Sequence, residues 1–335
     1  MTRGLVIGKF YPPHRGHKFL IETALHSVDH LDVLICVLAS QSISGDLRQR
    51  WLQEIHPGAN VMQIEDIGED DNSEVWAAYT KRILGHAPDI VFTSEGYGDA
   101  YAHFLGCRHI LVDRERHHVP ISASKIRSNP FAYWDFLEPC VRAHFVKRVC
   151  VVGAESTGTT TLARDLAEHF ETVWVPEYGR EYCEKQAAAG IDLWNYRWNS
   201  DEFTLIARAQ VELELKMARE ANHLLVCDTD AFATGIWHER YMGTRSSEID
   251  AIAAVHLPCL YILTDDDIPF VQDGLRDGEN IRRWMTGRFE EELIQRKVPW
   301  IKASGSRAHR LNSAVQTIES LLDPRSHEII SGKVS

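Results

Sequence analysis

No stretch of this 335-residue chain comes near the ~18 consecutive apolar residues that a bilayer-spanning helix requires. Nor does it open on the charged-then-apolar pattern of a secretory leader. The expectation is a soluble, cytoplasmic protein with no membrane partner. Basic residues are in short supply as well: 36 Lys and Arg stand against 48 Asp and Glu, a formal charge of −12. So acidic a surface repels nucleic acid and anionic lipid, which sets both aside as principal partners and leaves room only for local basic pockets. The seven cysteines (Cys36, Cys107, Cys140, Cys150, Cys183, Cys227, Cys259) are odd in number and include no Cys-x-x-Cys pair. Several lie in apolar runs such as Leu34-Ile35-Cys36-Val37, so they read as buried, reduced thiols. Internal repeats, low-complexity tracts and Gly/Ser linkers are missing too.

What is present is an ordinary globular composition, 44% apolar and 25% charged, in a chain long enough for two full cores. Near-continuous apolar runs at Leu5–Ile7, Leu31–Leu38, Asp89–Thr93 and His109–Asp113 alternate with helical patterns, the first of them over about Lys18 to Val28. Strands covered on both faces read this way, so the first half is expected to be a doubly wound α/β domain. The segment from Asn129 to Arg148 reads as a packed connector. The expected division is a domain over 1–145, a second over 146–325 and a tail over 326–335. The sequence leaves homo-oligomer formation open.

Gly8-Lys9-Phe10-Tyr11-Pro12-Pro13-His14-Arg15-Gly16-His17 falls between the first strand and the first helix. Backbone N–H groups and the positive end of the dipole at a helix start favour an anion, and two imidazole donors there suit a nucleotide's phosphates. The stretch resembles the His-x-Gly-His signature of the nucleotidyltransferase superfamily, on a Rossmann-like fold. Ile121-Ser122-Ala123-Ser124-Lys125-Ile126-Arg127 is similar to that superfamily's late Ser/Thr-x-x-x-Arg element, which holds the β- and γ-phosphates of ATP. After the second strand, Arg48 and Arg50 are placed to clamp a mononucleotide phosphate, while Trp51 has two roles open to it, stacking on a base or filling the core. Ser94, Glu95 and Tyr97 end the third strand where a ligand site is expected.

The second half restarts with the strand Val149–Val152, followed by Gly153-Ala154-Glu155-Ser156-Thr157-Gly158-Thr159-Thr160 and an amphipathic helix bearing Leu162, Leu166 and Phe170. Strand, Gly-x-x-x-x-Gly loop and helix make a phosphate-binding P-loop. One member is lacking: Thr159 stands where the lysine belongs. Thr160 still offers a hydroxyl for Mg²⁺, and the backbone nest can still cradle phosphate. The stretch from Val173 to Tyr182 reads as a second strand ending in Glu177, Tyr178 and Arg180. A long helix follows over about Asp201 to Ala221, and Leu224–Asp230 reads as a third strand ending in Asp228 and Asp230, where P-loop kinases keep an acid for Mg²⁺ or for the substrate's proton. Cys259–Thr264 and Trp300–Ala303 read as further strands. Between them Asp265–Arg276 has no period and suits a lid, whose Arg276, with Arg282 and Arg283, is placed to replace the missing charge.

From about residue 3 to 325 the chain resembles the NadR-type family of bifunctional NMN adenylyltransferase/ribosylnicotinamide kinases. The likeness rests on both phosphate motifs, Pro176–Tyr182, Cys227–Asp230 and Asp273–Arg276. It implies ATP, NMN, nicotinamide riboside and NAD as ligands and Mg²⁺ as the metal. In the first domain it implies catalysis by Lys9, His14, His17 and Arg127, with Gly8, Phe10, Gly16, Ser122 and Ser124 at the ATP phosphates and Arg48, Trp51, Ser94, Glu95 and Tyr97 at the substrate. In the second it implies Gly153, Ser156, Gly158, Thr159, Thr160, Thr161 and Arg276 on ATP, with Thr160 and Asp228 on the metal. Asp228 or Asp230 takes the proton there, and Glu177, Tyr178 and Arg180 meet the substrate; the sequence does not divide the roles of Asp228, Asp230 and Glu177. Some relatives carry an N-terminal helix-turn-helix, and this sequence begins at its first strand, so DNA binding is not expected. The other reading is a monofunctional adenylyltransferase, for NMN or another phosphorylated small molecule, whose second domain is inactive or senses nucleotide.

Overall fold

The computed structural model describes residues 1–69, 72–273 and 278–322. The chain falls into two compact units, Met1–Phe145 and Val146–Ser335. Among the described residues no helix is long and apolar enough to cross a membrane.

The first unit alternates β1 (Arg3–Gly8), α1 (Arg15–Leu25), β2 (His30–Val37), α2 (Gly45–Ile55), β3 (Asn60–Glu65), α3 (Ser73–Leu84), β4 (Ile90–Thr93), α4 (Gly98–Leu105) and β5 (Arg108–Leu111), then closes with α5 (Ala123–Ser128) and α6 (Pro139–Phe145). The strands are parallel and ordered β3-β2-β1-β4-β5. Val33, Leu34 and Ile35 have no exposed surface, because helices cover both faces of the sheet. Burying each such side chain contributes roughly 1.5–3 kcal/mol. Strand order reverses between β1 and β4, which opens a crevice at their carboxyl ends. β3 has no apolar run to announce it. It is an edge strand, Asn-Val-Met-Gln-Ile-Glu, in which only Val61 and Ile64 are buried. α1 starts three residues before the expected Lys18, because the His14 side chain caps it.

The second unit runs β6 (Lys147–Val152), α7 (Thr159–His169), β7 (Trp174–Val175), α8 (Tyr178–Ala188), α9 (Ser200–Met217), β8 (Leu224–Asp228), α10 (Ala231–Met242), α11 (Ser247–Val255), β9 (Leu260–Thr264), α12 (Arg282–Gln295), β10 (Trp300–Ala303) and α13 (Arg307–Leu322). Its sheet is also parallel, ordered β10-β9-β6-β8-β7. Val149, Val151, Leu162, Leu166, Val226 and Ile262 form a core between β6, α7, β8 and β9. The strand expected over Val173–Tyr182 is two residues long. Pro176 has no N–H to give a ladder, and helix α8 begins at Tyr178. Residues 265–273 carry no regular structure.

Candidate functional site

A cavity opens at the carboxyl edge of the sheet in each unit. In the first, Gly8, Lys9, Phe10, Tyr11, His17, Asp66, Trp76, Ser94, Glu95, Tyr97, Arg116, Ser124 and Arg127 are among the lining residues. His14 is buried behind this wall, and its Nδ1 accepts from the backbone N–H of Gly16 at 3.1 Å and of His17 at 3.4 Å. A nitrogen that accepts carries no proton, so the neutral ring is protonated on Nε2. The two imidazoles stack with centroids 3.8 Å apart. Burial pushes His14 down to about 4, with the Arg116 charge adding to the effect. Burial, the neighbouring ring and Arg116 hold His17 well below the ordinary histidine range. Both rings are thus held in the neutral form, and of the two only His17 lines the cavity. Gly16 is required by this approach: a Cβ there would lie 2.9 Å from His14 Cε1.

Two of the cations lining this cavity, Lys9 and Arg127, are tethered. Lys9 Nζ lies 3.3 Å from Asp66 Oδ2, whose side chain is almost fully buried. Arg127 donates to Tyr11 O at 2.5 Å and Ser124 Oγ at 3.2 Å, with its guanidinium 4.7 Å from the Tyr11 ring centroid. Tethered donors of this kind are preorganised for phosphate oxygens.

Three expectations for this unit are corrected. Arg48 is fully buried and donates to Lys9 O, Cys36 O, Ser44 O and Gln41 Oε1. It ties the ends of β1 and β2 to α2 and has no surface to offer a substrate. Trp51 is core, packed with Ile43, Ile121 and Leu137. Ser122 is the cap of α5, its hydroxyl accepting from Lys125 N at 3.4 Å, and it does not line the cavity. The sequence reading missed Arg116, Asp66 and Trp76. Arg116 adjoins the histidine pair 117–118, which reads as plain loop, and only the fold brings it to His14 and His17.

In the second unit the cavity is lined by the loop residues Gly153, Glu155, Ser156, Thr159 and Thr160, by Glu177 and Arg180, and by Trp194, Trp198, Phe203, Trp237 and Tyr241. The loop is a formed nest. Gly158 sits at φ +89°, and a Cβ at Gly153 would collide with the Thr264 hydroxyl. Thr157 Oγ1 bonds to Ala154 O at 2.6 Å and to Thr264 Oγ1 at 2.7 Å. Thr160 Oγ1 donates to Asp228 Oδ2 at 2.5 Å, while Asp228 Oδ1 is buried without a hydrogen-bond partner. Burial raises the pKa of Asp228 against the Thr160 bond. A hydroxyl and an orphaned carboxylate oxygen beside a phosphate nest fit Mg²⁺, which takes one or two protein ligands and completes its shell with phosphate and water.

Here too several expectations change. Asp230 caps α10 through Ala233 N at 3.0 Å, and its Oδ2 accepts from the Tyr261 hydroxyl at 2.7 Å. It is committed to the core and does not line the cavity. Tyr178 is also outside the lining; its N–H donates to Gln210 Oε1 and its ring lies 5.7 Å from Lys185 Nζ. Thr161 is exposed on the first turn of α7, beyond the lining. Arg282 is buried and donates to Ser156 O and Ile268 O from behind the loop, and Arg283 is exposed; neither lines the cavity. Arg276 lies outside the described residues. The aromatic wall was missed, although Trp194, Tyr196 and Trp198 fall within five residues, a density that signals more than chance packing.

A family model described as an AAA domain matches residues 148–310. The trifunctional NAD biosynthesis/regulator protein NadR of Escherichia coli K12 is 31% identical over 319 residues, covering 88% of this chain and 76% of that protein. A crystal structure of a NadR protein in complex with NR superimposes with a TM-score of 0.77, at 20% identity and 95% coverage of both chains. One in complex with NAD and AMP-PNP gives 0.73 at 21% identity, covering 95% of this chain and 96% of that one. The structural likeness carries the two-unit fold, and the sequence identity carries descent: the chain belongs to the NadR family of NAD biosynthesis proteins.

Proposed function

We propose that the chain makes NAD in two ATP-dependent steps, one in each unit. The second unit phosphorylates nicotinamide riboside to NMN, and the first transfers the adenylyl group of ATP to NMN and releases pyrophosphate. One observation carries this reading. Two cavities of different construction lie in one chain, the first lined by His17 with His14 stacked behind it and the second by a P-loop together with aromatic rings.

In the first cavity an oxygen of the NMN phosphate attacks the α-phosphorus, and the bond to the β-phosphate oxygen breaks. His17 donates to the charge gathering on the phosphates, with His14 stacked behind it. Lys9, Ser124 and Arg127 hold the departing pyrophosphate. Neutral donors suit the task, because they strengthen their bonds as charge develops and do not surrender a proton.

In the second cavity Trp198, Trp237 and Tyr241 are among the lining aromatics; Arg240 already lies over the Trp237 and Tyr241 rings, and nicotinamide riboside carries a pyridinium of the same charge. Glu177 lines the cavity and takes the 5′-hydroxyl proton. Thr160 and Asp228 would hold Mg²⁺, which when bound would neutralise charge on the ATP phosphates. The loop N–H groups cradle those phosphates.

The test is product analysis by mass spectrometry after incubation with Mg²⁺-ATP and either nicotinamide riboside or NMN. NAD from both substrates is the expected result. Thr159 favours a second reading, in which the P-loop unit binds nucleotide without turnover. NAD from NMN alone would support it, and NAD from neither would overturn the substrate assignment.

A further inference from the structure

A P-loop with no lysine leaves the γ-phosphate short of a cation where charge is greatest during transfer. The described residues offer several cations near the loop, and the geometry separates them. Arg310 is buried, and its guanidinium is committed to Thr157 O, Gly305 O, Asp265 O and the Asp267 carboxylate. Arg282 is held by Ser156 O and Ile268 O. Both brace the loop from behind, and neither lines this cavity. Arg164 lies against the Trp174 ring at 4.8 Å, and Arg240 against Trp237 and Tyr241 with Glu155 at 3.4 Å. Among the described residues Arg180 alone, of all lysines and arginines, lines the cavity that holds Gly153, Ser156, Thr159 and Thr160.

We propose that Arg180 supplies to the γ-phosphate of ATP the charge that Thr159 does not. The inference rests on the kinase reading above. Arg180 sits in the first turn of α8, three residues after Glu177, so one short stretch brings cation and base to the same cavity. Its partners here are Glu184 at 2.9 Å and Asp273 at 2.8 Å, and its side chain is 40% exposed. Partly exposed pairs of this kind are weak in water, so a phosphate competes for the guanidinium without a large penalty. A planar fork also binds two phosphate oxygens at once. In the step itself the 5′-oxygen bonds to the γ-phosphorus, and the bond to the bridging oxygen breaks. Its electron pair leaves with ADP, and the hydroxyl proton passes to Glu177. Arg180 stays bonded to the moving phosphoryl oxygens throughout.

The experiment uses the full chain with Arg180→Ala, Thr159→Lys and the double variant, reading NMN formed from nicotinamide riboside. The expected result is a loss of about a hundredfold in kcat for Arg180→Ala, with recovery of at least tenfold in the double variant, because the new lysine serves the same phosphate. NAD formation from NMN stays unchanged in all three and reports an intact first unit, while an unchanged melting curve reports the second. A second readout does not depend on turnover. Cys183 lines the same cavity, and burial raises its thiol to about 11, so its slow alkylation at pH 9 monitors nucleotide entry there. Arg180→Ala should raise the AMP-PNP concentration needed for protection at least tenfold and leave that of ADP unaltered. If no variant makes NMN, the kinase reading fails while this protection contrast still decides the role of Arg180. Equal protection by both nucleotides in Arg180→Ala and the parent would overturn the proposal. So would a double variant that stays inactive although Thr159→Lys alone works, or a Thr159→Lys rescue seen with Arg276→Ala in place of Arg180→Ala.

Discussion

The imidazole of His14 stacks on that of His17 at 3.8 Å with 21° between the planes, and the Nδ1 of His14 caps the helix on which His17 stands. The first ring thus fixes the height and tilt of the second. His17→Ala removes a preorganised donor and should lower NAD formation from NMN by about a hundredfold or more. Its circular dichroism and melting temperature should match the parent's, because His17 lies on the cavity side of the pair. A folded His17→Ala protein with near-parental turnover would remove this residue from the chemistry.

The same geometry sets a pH dependence. His14 is pushed from the usual 6.5 to about 4 by burial and Arg116. Its folded pKa lies below its unfolded one, so the unfolded chain binds more protons between those values, and stability rises with pH there. This contribution is complete above 6.5 and is lost as pH falls from 6.5 through 4. His14→Asn keeps a capping acceptor and removes the titration. Melting curves across that window should therefore fall more steeply for the parent than for His14→Asn.

Asp228 and Asp230 stand two residues apart and do different things. Asp228→Asn takes charge from the oxygen beside Thr160, so NMN formation should fall by about two orders of magnitude with little change in melting temperature. Asp230→Ala removes the cap of α10 and a bond from Tyr261, which should cost about 1–3 kcal/mol of stability. Denaturant titration beside the NMN assay separates the two outcomes.

Arg48 supplies the opposite kind of test, for a residue that reads as a phosphate clamp and is a brace. Arg48→Ala takes the guanidinium from the carbonyls of Lys9 and Cys36, a buried loss costing about 1–3 kcal/mol, while the Ser44 carbonyl keeps the residue's own backbone N–H. The melting temperature should drop by several degrees, and Arg48→Lys should not restore it, because an ammonium cannot reach the same fork of acceptors. An Arg48→Ala protein with parental stability and a raised KM for NMN would return the residue to the site.

These cases mark what the sequence discloses. The buried strands β1, β2, β4, β6, β8 and β9 were legible because parallel strands covered on both faces need apolar runs. The phosphate loops were legible because strand, glycines and helix must fall in a fixed order. β3 was not, since an edge strand needs no such run. Arg48, Trp51 and Asp230 misread for a shared reason: an arginine, an indole or a carboxylate has the same letter whether it faces ligand or core. The aromatic wall was hidden because its members come from the 193–203 segment and from α10, which only folding joins.

That wall makes the last prediction. Trp198 packs against Tyr241 at 5.5 Å and Phe203 at 5.1 Å, and Trp237 stands on the same α10 helix as Tyr241. A cation over an indole face gains about 0.5–2 kcal/mol, and a leucine of similar apolar character keeps the packing but not the π face. Trp198→Leu and Trp237→Leu should each raise KM for nicotinamide riboside by roughly 2- to 30-fold, the range that this energy spans. KM for ATP in the same reaction should stay within twofold, since the loop N–H groups and Arg180 are untouched. A neutral analogue with a reduced dihydropyridine ring separates charge from shape. If it binds the parent as well as nicotinamide riboside does, the wall recognises a flat ring and not a cation.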